Sequence, residues 1–184
     1  MILYQTVEDR NNPDDIERDA PYPCNAHNAW LGNGYYFWDT LIANAHWWGR
    51  SHYHHTDYVI VEFNCDSMYN GKCYDLHGNM EHLDYFNKVV EFLKEQSLFS
   101  DEDTVSKVIS YLKGKTDFST RYEAIRAYGH QSKKNQQFVL FERNKAFGLE
   151  REPAVQLCLF HKRSLNLSAG RIVFPEDYCS EYLM

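Results

Sequence analysis

Two glycines followed at once by an aromatic run constrain the fold of this chain more than any other feature. Residues 31–40 read LGNGYYFWDT. Glycine suits tight turns and close approach to a ligand, and aromatic residues favour strands and offer flat faces for stacking. The segment predicts a strand over residues 35–38 and a helix that begins near Thr40, with Asp39 as its cap. Two interpretations remain open: a buried aromatic strand after an ordinary turn, and a cradle for a nucleotide with a flat base.

Length and composition indicate one folded domain. The chain has 184 residues, of which 43% are hydrophobic and 16% aromatic, and this excludes general disorder. No stretch approaches the roughly 20 apolar residues that cross a bilayer, and the first residues do not resemble a signal peptide. The five cysteines form no CxxC pair. We therefore expect a cytoplasmic protein with reduced thiols and no membrane contact.

Charge is distributed unevenly along the chain. The net charge is −7, but residues 121–171 hold ten Lys or Arg and only four acidic residues. This basic segment could attract a dinucleotide pyrophosphate or a nucleic acid. Alternatively, its charges solvate strand edges and loops.

Apolar patterning predicts strands early and late in the chain, around a helical middle. We expect strands at residues 2–6, 58–63, 138–141, 155–160 and 172–174, the last three closing the sheet. Apolar stripes predict helices over residues 83–93 and 105–112, and a further helical turn over 120–126 with Glu123 in a capping box. The fold class is therefore α+β, with one domain over residues 1–184 and a helical insertion at about 79–128.

Three segments together resemble the motifs of the ADP-ribosyltransferase superfamily, the fold of bacterial mono-ADP-ribosylating toxins and poly-ADP-ribose polymerases. The glycine–aromatic segment is similar to the second motif. Residues 3–6 (LYQT) stand where the family has its first motif, and residues 155–161 (VQLCLFH) resemble the third, with Gln156 where the family usually has glutamate. The resemblance implies a split antiparallel sheet and NAD as the substrate.

The resemblance also implies roles for individual residues. Gln156, Tyr36 and Tyr4 would form the catalytic group, with Tyr36 stacking on nicotinamide and Tyr4 lining the pocket. The expected NAD-binding positions are Gln5, Thr6, Gly32, Gly34, Tyr35 and Arg126, where Gln5 would pair through its backbone with the carboxamide. For Arg126, guanidinium chemistry leaves two interpretations open: a bidentate contact with the pyrophosphate, and a surface or structural arginine.

The third motif leaves one alternative open. A glutamine keeps the hydrogen bond of the usual glutamate but not its charge. Gln137 is a rival for the same role, although the apolar strand and basic turn after Gln156 fit the family better.

Two other sets of residues, the clustered histidines and Cys158, match no metal-binding or nucleophile pattern. Four histidines crowd the helix predicted from near Thr40 and its end, namely His46, His52, His54 and His55. Their spacing matches no metal motif, so we expect no intrinsic metal. Cys158 alternates with Gln156 along one strand, but no pattern marks it as a nucleophile, and a buried thiol is the default interpretation.

The leading functional hypothesis is an NAD-dependent ADP-ribosyltransferase-like enzyme. It would be an enzyme of the bacterial type, a toxin or defence effector that modifies a protein or nucleic acid acceptor. The alternatives are a catalytically silent member of the fold that binds a nucleotide or protein, an NAD glycohydrolase, and an RNA-directed 2′-phosphotransferase of the same fold.

Overall fold

Nine strands and five helices make up the regular structure of the described chain. A computed structural model describes residues 1–53, 55–66, 70–129, 138–141 and 148–179. The strands are β1 (Ile2–Glu8), β2 (Tyr35–Asp39), β3 (Tyr58–Asn64), β4 (Cys73–Asp75), β5 (Ala124–Tyr128), β6 (Phe138–Leu140), β7 (Gly148–Glu150), β8 (Val155–Leu159) and β9 (Arg171–Phe174). The helices are α1 (Pro13–Asp19), α2 (Ile42–His52), α3 (Met80–Glu95), α4 (Val105–Lys115) and α5 (Phe118–Arg121).

Seven of the strands form one mixed sheet in the order β4-β5-β8-β2-β1-β3-β9. Neighbouring strands are antiparallel except β4 and β5, which are parallel. β1, β2 and β8, which carry the three predicted motifs, are adjacent in this order although they lie far apart in sequence. The fold class is therefore α+β, as predicted, but the sheet is not purely antiparallel.

Both faces of the sheet are covered. On one face, the α2 residue Ala45 packs with Tyr4, Trp38 and Ile60, and the apolar stripes of α3 and α4 pack against β4, β5 and β8. On the other face, Ile16 of α1 joins the largest cluster of buried side chains. Burial of these stripes explains why the helical middle of the chain folds onto the sheet.

Two local sequence signals were interpreted wrongly. Residues 120–126 do not form a helix: α5 ends at Arg121, and β5 begins at Ala124, between β4 and β8. The helical insertion therefore ends before the predicted limit at 128, because sheet pairing overrides the weak capping signal. Asp39 does not cap α2, which begins at Ile42 after Leu41. Instead, Asp39 is the last residue of β2, and its carboxylate binds Arg126.

The region before β8 also differs from the prediction. β6 does not close the main sheet but pairs only with β7, in a separate two-stranded ribbon. By contrast, the strands predicted near the start of the chain, at residues 58–63 and at residues 155–160 are all present. No helix within the described ranges is long and apolar enough to cross a membrane.

Candidate functional site in the cleft between two central strands

β1 and β2 pair over only two residue pairs and then separate. Leu3 pairs with Asp39 and Tyr4 with Trp38, whereas β1 stays paired with β3 over its whole length. The Ile2 C=O accepts a hydrogen bond from Thr40 N–H on the β2 side. Because successive strand residues direct their backbone groups to alternate sides, Thr6 directs its N–H and C=O toward the gap.

Gln5 bridges this separation with its side chain. Its Oε1 accepts from Tyr22 N–H at 2.7 Å, and its Nε2 donates to Tyr22 C=O at 2.9 Å and to Tyr36 C=O at 3.3 Å. The amide therefore takes the place of a neighbouring strand and fixes the loop at Tyr22 beside the cleft. The predicted ligand contact of Gln5 is through its backbone, but by the same alternation the N–H and C=O of Gln5 face β3, where Gln5 pairs with Val61.

A cavity of about 600 Å³ occupies the separation between the strands. This volume is within the range of small-molecule sites. Its lining residues come from both strands, the loop before β2, the end of α2, and β8: Gln5, Thr6, Val7, Tyr22, Pro23, Cys24, Ala26, Asn28, Ala29, Trp30, Tyr36, Phe37, Trp38, Trp48, His52, Tyr53 and Gln156. The wall contains many aromatic side chains and a few separate polar groups.

The last turns of α2 contribute two aromatic rings to the wall of the cavity. Trp48 and His52 lie four residues apart, and their rings stack at a centroid distance of 4.7 Å with 12° between their planes. Thr6 Oγ1 donates to the Ala45 C=O at 2.9 Å, which holds α2 beside β1. Two flat rings are therefore presented together at a fixed position.

Four of the nine predicted site residues line the cavity, namely Gln156, Tyr36, Gln5 and Thr6. Tyr36 contributes its ring, but its hydroxyl accepts from Leu31 N–H and donates to Gly32 C=O, both at 2.8 Å. Burial raises the pKa of this hydroxyl far above its usual value. The Tyr36 ring is thus an uncharged part of the cavity wall, and its hydroxyl holds the glycine turn in place.

The other five predicted residues lie elsewhere. Tyr4 packs in the core with Trp38 and Ala45. Tyr35 is half-buried against the opposite face of the sheet from Tyr36. Gly32 and Gly34 belong to the turn before β2 and do not line the cavity.

Arg126 is held in an ion-pair network away from the cavity. Its Nη2 lies 2.6 Å from Asp39 Oδ2, and its Nη1 lies 3.1 Å from Asp75 Oδ2. The side chain of Asp39 is only 5% exposed. Two carboxylates therefore already occupy the guanidinium, and the predicted pyrophosphate contact has no geometric support.

Gln156 and its neighbours are fixed by register. Gln156 pairs with Trp38 on one side and with Ala127 on the other, so the three side chains share one face of the sheet. Its Oε1 accepts from the indole Nε1 of Trp30 at 2.6 Å. Cys158, on the same face, is fully buried, and burial raises the pKa of its thiol to about 12. Cys158 is therefore not poised as a nucleophile.

Several predictions concern residues that the structure does not describe. Gln137 and His54 lie outside the described residues, as do four basic residues of the segment 121–171. Among the described residues that line the cavity there is no Asp, Glu, Lys or Arg. Within the described ranges, no three His, Cys, Asp or Glu side chains are grouped so that they could hold a metal ion.

Sequence reasoning missed most of the aromatic wall. Trp30 stands directly before the glycine–aromatic segment and Trp38 ends its aromatic run, but the prediction assigned neither residue to the site. The i, i+4 spacing of Trp48 and His52 places them on one side of a helix, and this signal could have been used.

Comparison with known proteins gives no further guide to this site. No protein-family model matches the chain, and searches of curated proteins and of solved structures found no match.

Proposed function

We propose that this protein is an ADP-ribosyltransferase-like enzyme that binds NAD in the cleft between β1 and β2 and transfers ADP-ribose to a macromolecular acceptor. One observation carries the proposal: residues from all three motif-like segments line the same cavity, with Gln5 and Thr6 from the first, Tyr36 from the second and Gln156 from the third. The N–H and C=O of Thr6 face the gap between β1 and β2 and offer one donor and one acceptor. A carboxamide has the complementary acceptor and donor.

The chemistry requires the site to hold a flat ring and to orient the ribose. Breaking the nicotinamide–ribose bond generates an oxocarbenium-like sugar, as in glycoside hydrolysis. Tyr36, Trp38 and the stacked Trp48–His52 pair offer aromatic faces, and aromatic faces hold rings through offset or edge-on packing. Gln156 supplies a polar group at the same wall. These residues could therefore bind NAD and orient its ribose.

A second candidate, a binding protein without catalysis, is favoured by the charge of the cavity. Among the described lining residues there is no carboxylate, and a developing cation gains more from a carboxylate than from an amide. A nucleotide-binding member of the fold needs no such group.

Nicotinamide release separates the two candidates. Purified protein is incubated with millimolar NAD, with and without cell lysate as a source of acceptor, and nicotinamide is quantified by chromatography. The enzyme proposal predicts release by the wild-type protein and at least tenfold slower release by Gln156→Ala. The matched control is Gln96→Ala, at an exposed glutamine after α3, which should behave as wild type.

Each negative result has a distinct meaning. NAD binding without release would support the binding protein and exclude the enzyme. Neither binding nor release would contradict both candidates. Release that persists in Gln156→Ala would mean that another residue acts in its place, with Gln137→Ala as the next variant to test.

A further inference from the structure

A single hydrogen bond joins the loop before β2 to the polar residue of β8. Trp30 Nε1 lies 2.6 Å from Gln156 Oε1, across 126 residues of sequence. An indole N–H can only donate, so the amide atom that faces it must be the oxygen. The orientation of the Gln156 amide therefore follows from chemistry and is not an arbitrary choice between two flipped forms.

The same bond determines what Gln156 presents to the cavity. With Oε1 bound to Trp30, the amide nitrogen Nε2 keeps two N–H donors. In the part of the chain that the structure describes, Nε2 has no hydrogen-bond partner, and both Trp30 and Gln156 line the cavity. A glutamate at this position would present a charged acceptor instead.

The indole is itself held in place. A Cβ on Gly129 would lie 3.4 Å from the Trp30 ring, so the ring lies beside this glycine and a side chain there would contact it. Gln156 is fixed by its register between Trp38 and Ala127. The two partners thus belong to different segments that meet only in the folded protein.

We propose that Trp30 is a positioning residue that locks the Gln156 amide with its N–H groups toward the cavity, so that the site selects ligands bearing a hydrogen-bond acceptor at this point. In NAD, such acceptors are the ribose oxygens and the carboxamide oxygen. This inference rests on the proposed function for the identity of its ligand, but the lock itself is a property of the free protein.

A double-mutant cycle tests whether Trp30 acts through Gln156. NAD affinity is measured by calorimetry for wild type, Trp30→Phe, Gln156→Ala and the double variant. Trp30→Phe keeps an aromatic ring at this position but removes the N–H. It should weaken NAD binding about fivefold in the wild-type background and change it by less than twofold in the Gln156→Ala background.

Gln156→Glu tests the donor that the lock presents. Glutamate can still accept the Trp30 N–H, but it offers the ligand a charged acceptor and no donor. It should weaken NAD binding at least tenfold while it leaves the melting temperature within a few degrees of wild type. Equal losses from Trp30→Phe in both backgrounds, or undiminished binding by Gln156→Glu, would overturn the proposal.

The indole N–H signal of Trp30 gives a readout that needs no ligand. In the ¹H–¹⁵N spectrum of the free protein, Gln156→Ala should move this signal upfield and speed its exchange with solvent, and Gln96→Ala should not. An unmoved signal would refute the lock. If wild-type protein binds no NAD, the proposed function fails, and the lock is then decided by this signal alone.

Discussion

Gly34 and Gly32 serve different physical purposes although one residue separates them. Gly32 has φ = +84°, a conformation that side chains rarely adopt, and its C=O accepts from Tyr36. Gly34 lies directly against β8: a Cβ there would be 2.4 Å from the Leu159 C=O oxygen and 2.5 Å from Cys158 Sγ. The close approach that the sequence indicated is therefore to a neighbouring strand.

Substitution of Gly34 should thus reduce stability. Gly34→Val forces β2 and β8 apart and should lower the free energy of unfolding by about 1–3 kcal/mol, measured by urea denaturation. Gly114→Ala is the matched control, because a Cβ there meets nothing within 4 Å in helix α4. It should be neutral or stabilising by up to about 1 kcal/mol. A fully stable Gly34→Val protein would show that the close approach is wrong.

Arg126 supports the fold through its two carboxylate partners. Arg126→Met leaves the buried Asp39 without its cation and should cost about 3 kcal/mol in unfolding free energy. Arg18→Met is the control, because Arg18 pairs with exposed Asp15 and Asp19, and its loss should leave the free energy of unfolding close to that of wild type. If Arg126→Met instead keeps its stability and loses NAD affinity, the pyrophosphate role is restored.

Strands were easier to predict from sequence than their partners. The run at residues 58–63 is apolar enough to identify β3 directly, whereas β4 has only three residues, Cys73–Asp75, and carries too little pattern. β5 was not predicted because residues 120–126 also match the capping-box pattern of a helix start. The separation of β1 from β2 depends on Gln5, whose bonds to Tyr22 are long-range and leave no local signal.

His82 links α3 to β4 and makes this contact sensitive to pH. Its Nδ1 accepts from Asp75 N–H at 3.0 Å, which requires the neutral ring. Burial is the main cause that holds the pKa of His82 below its usual value. As pH falls below about 6.5, the unfolded chain takes up this proton before the folded protein does. Stability should therefore decline as the solution becomes acidic.

His82→Gln tests this contribution. The urea midpoint is measured at pH 7.5 and pH 5, and the variant should lose less stability between them than wild type does. Part of the decline should remain, because burial also lowers the pKa of His46. An unchanged difference between the two pH values would exclude His82 as a source of the pH dependence.

At the scale of the whole molecule, the order of the three motif-like segments predicted more than any single residue did. The resemblance assigned the three segments to one site, and β1, β2 and β8, which carry them, are adjacent in the sheet. It could not predict which side chains reach the cavity, because packing under α2 decides that Tyr4 is buried while Trp48 and His52 line the wall. The cleft is therefore a product of the assembled sheet and of α2 together.

The central claim is that NAD binds in this cleft, and the four indole N–H signals report on it most directly. Trp30, Trp38 and Trp48 line the cavity, whereas Trp47 does not. On titration with NAD, we expect the first three signals to shift together along one saturable curve, with a smaller shift for Trp47 and weaker binding of AMP. No shift at millimolar NAD, or equal shifts of all four signals, would contradict the account.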